Sequence, residues 1–142
     1  MTPVVMSDFG PHQVSVQGDA VFVTVHGDWP VSGMVALLEL LHATQKAHGT
    51  CYTIVDTTDG NLPSAEVRKA IGDFVKRTSF RPTATWVIGA TFGARAVLKL
   101  VNRVVTMLTG VPRETFFVDT LQEATAALER LRRSQSGVHS PP

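Results

Sequence analysis

The stretch Cys51-Tyr52-Thr53-Ile54-Val55-Asp56-Thr57-Thr58-Asp59-Gly60-Asn61 decides the fold. Its first half, Cys51 to Val55, is short and nearly continuously apolar, the mark of a strand covered on both faces. Its second half, Asp56 to Asn61, is a cluster of turn-forming residues. Ala84 to Ala90, with Trp86, Val87 and Ile88 at its centre, reads as another strand of the buried kind, and Thr115 to Val118 as the last one.

Helical patterns separate these runs. Pro63-Ser64-Ala65-Glu66 opens one helix, in which Val67, Ile71, Phe74 and Val75 form a single apolar stripe. Phe92 to Leu108 is a second helix, ended by Gly110-Val111-Pro112. Thr120-Leu121-Gln122-Glu123 is a capping box that starts a helix running to about Arg133. Upstream, Met34, Leu37, Leu38 and Leu41 place a helix over Val31 to His48, stopped at Gly49. Before it, Val14 and Val16, then Val21, Val23 and Val25, alternate with other residues at period two. Gly18-Asp19 between them suits a hairpin turn. The order is ββαβαβαβα, which predicts an α/β fold. Its sheet is mostly parallel, with right-handed crossovers and an N-terminal antiparallel edge hairpin. One domain is expected over 12–133, behind an N-terminal extension at 1–11. Residues 134–142 are polar, end in a proline pair and are expected to be disordered.

Composition narrows the function classes. The 142 residues are 44% apolar and 18% charged, a globular balance. Thirteen basic against twelve acidic residues leave a net charge of +1, which gives no argument for nucleic acid or an anionic membrane as partner. One cysteine, Cys51, excludes an internal disulfide framework and a multi-cysteine zinc site. Met1 to Gly10 lack the pattern of a secretory signal, and no long apolar window is present, so a cytoplasmic setting is expected.

Strand C-termini share one edge of a parallel sheet, and ligands favour that edge. Here it carries Asp28, then Asp56, Thr57, Thr58 and Asp59, then Thr91, then Asp119 and Thr120. These residues suit a metal or phosphoryl site, but equally the caps of the helices that follow, and capping is the reading preferred. A phospho-accepting receiver domain is excluded, because no acidic pair follows the first strand and Asp119 stands where a lysine belongs. His12, His26, His42, His48 and His139 show no metal-ligand spacing. There is no Gly-x-Ser-x-Gly elbow, and Gly89-Ala90-Thr91-Phe92-Gly93 is neither a P-loop nor a dinucleotide fingerprint. No catalysis, cofactor or metal is expected.

The helix from Phe92 to Leu108 is the most informative segment. Arg95, Lys99 and Arg103 recur every four residues as one basic stripe, and nearly everything else is apolar. The apolar arc is wider than a helix resting on a sheet needs. The surplus meets a neighbouring helix, another subunit, a lipid surface or a hydrophobic ligand. Self-association through this helix is expected, with Val101 and Val104 facing outward beside the basic stripe. A membrane is the less favoured partner, given the near-neutral charge.

Three stretches carry a resemblance: Tyr52-Thr53-Ile54-Val55-Asp56, Pro63-Ser64-Ala65-Glu66-Val67-Arg68-Lys69 and Val87-Ile88-Gly89-Ala90-Thr91-Phe92-Gly93-Ala94-Arg95. With the order of elements from Val14 to Arg132, they resemble the SpoIIAA-like fold of STAS domains, the anti-sigma-factor-antagonist type. In detail they resemble the small bacterial STAS-like proteins related to CRAL-TRIO. The resemblance implies a regulatory protein-interaction module without catalysis of its own. It also implies a phospho-acceptor near the start of the second helix, where Thr57, Thr58 and Ser64 lie. The stretch Asp59 to Ser64 departs from the family's Asp-Ser-Ser-Gly-like pattern, with no Asp directly before Ser64 and no Gly after it. The CRAL-TRIO relationship implies an alternative, a carrier or sensor of a small hydrophobic or lipid ligand. A cavity between the third helix and the sheet favours that alternative; a solid core with an exposed apolar strip favours the interaction module. The protein partner is not identified by the sequence.

Overall fold

The computed structural model describes residues 2–3, 9–80, 82–110 and 114–138. Strands β1 (Thr2–Pro3), β2 (Gln13–Gln17), β3 (Ala20–Gly27), β4 (Tyr52–Gly60), β5 (Ala84–Ile88) and β6 (Thr115–Val118) lie side by side in chain order. β1, β2 and β3 are antiparallel neighbours, and β3 to β6 run parallel. The helices are α1 (Val31–His48), α2 (Ala65–Thr78), α3 (Phe92–Thr109) and α4 (Leu121–Val138).

Strictly sequential strand order has a consequence. Each right-handed crossover advances the same way across the sheet, so each crossover helix falls on the same face. Side chains of α1 and α2, together with Val101 of α3, pack with Val14, Val21, Val23 and Val25 on that face. α4 follows the last strand and is free to fold back onto the other. There Ala124 and Leu128 meet Ala20, Tyr52, Ile54, Trp86 and Ile88.

Local signals operate as the sequence predicts. Gly18 turns the hairpin with φ +60°. Ser64, Thr91 and Thr120 accept hydrogen bonds from the backbone N–H groups of Val67, Ala94 and Glu123, and the Glu123 carboxylate reaches back to the Asp119 N–H. Gly49 and Gly110 close α1 and α3 in the left-handed conformation.

Three expectations are corrected. Asp56 to Gly60 is not a turn: β4 continues through it, because β3 runs on alongside as far as Gly27 and offers backbone partners. Between Thr24 and His26 the pairing shifts, so β4 holds one extra residue there, a β-bulge around Thr57 and Thr58. The 1–11 extension belongs to the domain where it is described. Thr2 and Pro3 pair with Val16 and Ser15, displacing the hairpin from the edge, and Phe9 is buried in the core. α4 extends to Val138, so 134–138 is helical rather than disordered, and 139–142 lies outside the described residues. His12 is fully buried. Among the described residues, no helix is long and apolar enough to cross a membrane.

Candidate functional site

α3 does not rest on the sheet as α4 does. Its helical neighbour is α2, and none of its described residues is fully buried. Beneath it lies a cavity of about 490 Å³, walled by α1 and α2 and floored by β4 and β5. Cavities of this size hold small organic ligands. Leu37, Leu38, Ile71, Val87, Leu98 and Val101 give it an aliphatic lining. Among the lining residues that are described, none carries an ionisable side chain; the polar side-chain groups are threonine hydroxyls, two asparagine amides and the Trp29 indole N–H.

The lining is layered along the strands. On the face under α3, Thr53 stands opposite Thr85, and Thr85 opposite Thr115. Two residues further on, Val55, Val87 and Phe117 share the next register. Thr57 and Thr58 of the bulge follow, with Asn61, Leu62 and Thr91 around them. Thr58, Asn61, Leu62 and Thr91 are exposed, so the chamber opens at the C-terminal edge of the sheet. At the deep end Thr53, Pro82 and Thr85 are buried, and the Asn102 amide of α3 donates to the Thr115 hydroxyl at 2.7 Å. Thr53 Oγ1 has no hydrogen-bond partner, and is the one buried side-chain oxygen or nitrogen among the described residues in that position.

One wall depends on a buried histidine. Neutral His12 donates from Nε2 to the Asp28 carbonyl at 3.1 Å, and its Nδ1 accepts from the His26 N–H at 3.0 Å. Its ring stacks on Trp29, a lining residue, at 3.7 Å. Burial pushes His12 below its ordinary 6.5, against a raising effect of the Asp28 carbonyl; the nearby His26 lowers it further. From the other side, Asn61 donates from its side chain to Asp28 Oδ1 and from its backbone to the Gly27 carbonyl. The loop before α1 is therefore clipped at both ends.

The residues singled out from sequence fall in different places. Ser64 is exposed and caps α2. Thr57 donates its hydroxyl to the Ile88 carbonyl, and Thr58 donates to Asp56 Oδ1. Both threonines border the chamber, whereas Ser64 does not. Asp28 and Asp56 are not caps: α1 begins after Pro30, and Asp56 holds the bulge through the Thr58 hydroxyl and N–H. Arg95 and Lys99 are not a free stripe, because their cationic groups lie 5.2 and 6.0 Å from the centre of the Phe117 ring of β6. Arg103 and Val104 are exposed as expected. Val101 is corrected: it points inward, packs against the core and lines the chamber. The outward apolar side of α3 is Phe92, Leu100, Val104 and Met107, with Phe92 91% and Met107 79% exposed.

The chain matches no family model. It also matches no curated protein.

Proposed function

We propose that the protein is a non-enzymatic binder that takes up a small, largely apolar molecule in the chamber beneath α3. Of the two readings the sequence left open, this is the carrier or sensor. The observation that supports it is the chamber itself, an aliphatic space of about 490 Å³ with an open mouth and no ionisable lining among the described residues. Its mouth lies at the C-terminal edge of a parallel sheet, where ligands are ordinarily received. The likeness to STAS-like proteins related to CRAL-TRIO is in keeping with such a role. Among the lining hydroxyls, that of Thr58 donates to the Asp56 carboxylate, a contact that holds the bulge of β4. The test is uptake of Nile red, an uncharged apolar fluorophore. Saturable one-to-one uptake by wild type, abolished in Leu98→Trp, supports the reading; no saturable uptake overturns it.

A second reading has its own observation. The exposed Phe92, Leu100, Val104 and Met107 form an apolar strip on the outer side of α3, as a STAS-type protein-interaction module that self-associates would need. On that reading the wild type is a dimer by analytical ultracentrifugation at about 100 μM, where even a weak interface shows. Val104→Glu returns it to monomer.

A further inference from the structure

We infer that the Thr53–Thr85–Thr115 row at the deep end of the chamber is a head-group site for the uncharged, hydrogen-bonding end of an otherwise apolar ligand, an alcohol or carbonyl rather than a carboxylate. The inference rests on the reading of the chamber as a ligand site and adds which ligand class it accepts and which way round.

The row is set by register. Thr53, Thr85 and Thr115 are direct neighbours on three adjacent parallel strands, all facing the chamber. Strands lie about 4.8 Å apart, so the three side chains cover roughly 10 Å across the floor. A sheet face beneath helices is ordinarily apolar, and the next layer of this face, Val55, Val87 and Phe117, is so. Packing alone does not ask for threonine at all three positions, since valine has the same shape.

Thr53 shows that the row is incomplete as it stands. The residue is 3% exposed and its hydroxyl has no hydrogen-bond partner. A buried hydroxyl left unpaired destabilises a fold, and a turn about its side-chain bond would bring this one onto the head group of a ligand in the chamber. The Cys51 thiol lies close to the same hydroxyl, but sulfur pairs weakly, and burial pushes that thiol up to about 11. At the other end of the row the Thr115 hydroxyl accepts from Asn102 and keeps its own proton to give. The row therefore offers both donors and acceptors, which suits a hydroxyl or a carbonyl.

Charge decides against acids. No described lining residue is ionisable, and the nearest cations of α3, Arg95 and Lys99, are turned onto Phe117, with Arg95 Nε also donating to the Ala90 carbonyl. Among the described residues, a carboxylate at the deep end would lose its water without gaining a counter-charge. The length of the ligand follows from the strands. Thr53 and Thr57 are four residues apart on β4, about 13 Å, which matches a medium-length alkyl or ring system lying from the row to the mouth.

The experiment displaces Nile red from the full chain at pH 8 with 1-decanol and with decanoate. Expected is displacement by 1-decanol at a concentration at least about tenfold lower than by decanoate. Thr53→Val weakens 1-decanol about fivefold while raising the unfolding midpoint, because the mutation removes both a ligand contact and an unpaired hydroxyl. Thr53→Ser keeps the wild-type preference. Equal displacement by alcohol and acid, or unchanged alcohol affinity in Thr53→Val, overturns the head-group site while leaving the chamber as a ligand site. If Leu98→Trp takes up Nile red as wild type does, the chamber is not the site and both readings fall. Val101→Phe serves the same purpose should Leu98→Trp fail to fold.

Discussion

The two faces of the sheet are built from the same strands, residue by residue in alternation, yet they come out differently. Under α4, Ile54, Trp86 and Phe116 share one register, with Tyr52 and Ala84 in the layer beside them. Trp86 and Phe116 stack at 5.6 Å, and Ala124 and Leu128 pack with Ile54 and Trp86, leaving Phe116 at the exposed rim. Arg132 pins the far end of α4 by an ion pair to Asp19 and by its position over the Tyr52 ring. Under α3 the matching positions of β4 and β5 are small side chains and hydroxyls, and the helix stands away from them. The lesson concerns side-chain volume. Large aromatics on one face draw their helix into contact, whereas threonine and valine on the other leave space that the helices do not fill.

Mutation can break this contrast or sharpen it. The largest effect belongs to the sealed face. Trp86→Ala should lower stability by about 3–5 kcal/mol, because it opens a cavity in a filled layer. Leu98→Ala, on a half-buried residue already facing space, should lower it by about 1 kcal/mol. Denaturant unfolding of the two variants side by side is the measurement, and equal losses would end the contrast.

Next in size is the cap of α4. Thr120→Ala removes the acceptor for the Glu123 N–H and should lower stability by about 0.5–2 kcal/mol. Nile red uptake should be unchanged, since the box lies outside the chamber. Loss of uptake at unchanged stability would show that the polar edge acts in binding rather than capping.

The smallest effect is a slope with pH, and it belongs to the open face. Burial holds His12 below 6.5 in the folded state, whereas the unfolded chain protonates it near 6.5. Below that value the unfolded state binds the extra proton, so stability falls as pH drops from about 6.5 toward the folded-state value, and is retained above it. Protonation also removes the acceptor for the His26 N–H and loosens the wall that Trp29 forms. Unfolding midpoints at pH 7.5 and pH 5 in wild type and His12→Gln check this, and a slope of equal size in the variant would assign it to other groups.

How much of this is legible in the sequence depends on the range of the signal. Gly18-Asp19, Ser64, Thr91 and the Thr120–Glu123 box act over a few residues, so their turns and caps can be read directly. The Asp56 to Gly60 strand cannot, because its partner is Gly27 and its neighbours, far away in the chain. Nor can the orientation of α3. A wide apolar arc shows that two sides of the helix are apolar, but which one faces the sheet depends on where α2 sits, and Val101 falls on the inner side. Thr53 looks like an ordinary β-former within an apolar run. Its place in a row of threonines appears once the registers of β4, β5 and β6 are known. The chamber is a difference between volumes on opposing elements, a quantity that no local pattern carries.

α3 begins just after Gly89, ends at Gly110, and buries no described side chain completely. Both glycines have positive φ, so the backbone at each end is held by residues with unusual rotational freedom. The work of lifting such a helix is a fraction of the work of unfolding the domain. Its amide hydrogens therefore exchange with solvent through a local opening, while those of β4 and β5 wait for global unfolding. For a molecule enclosed beneath it, the side chains of the lining govern how tightly it is held, and the opening rate of α3 governs how long it stays.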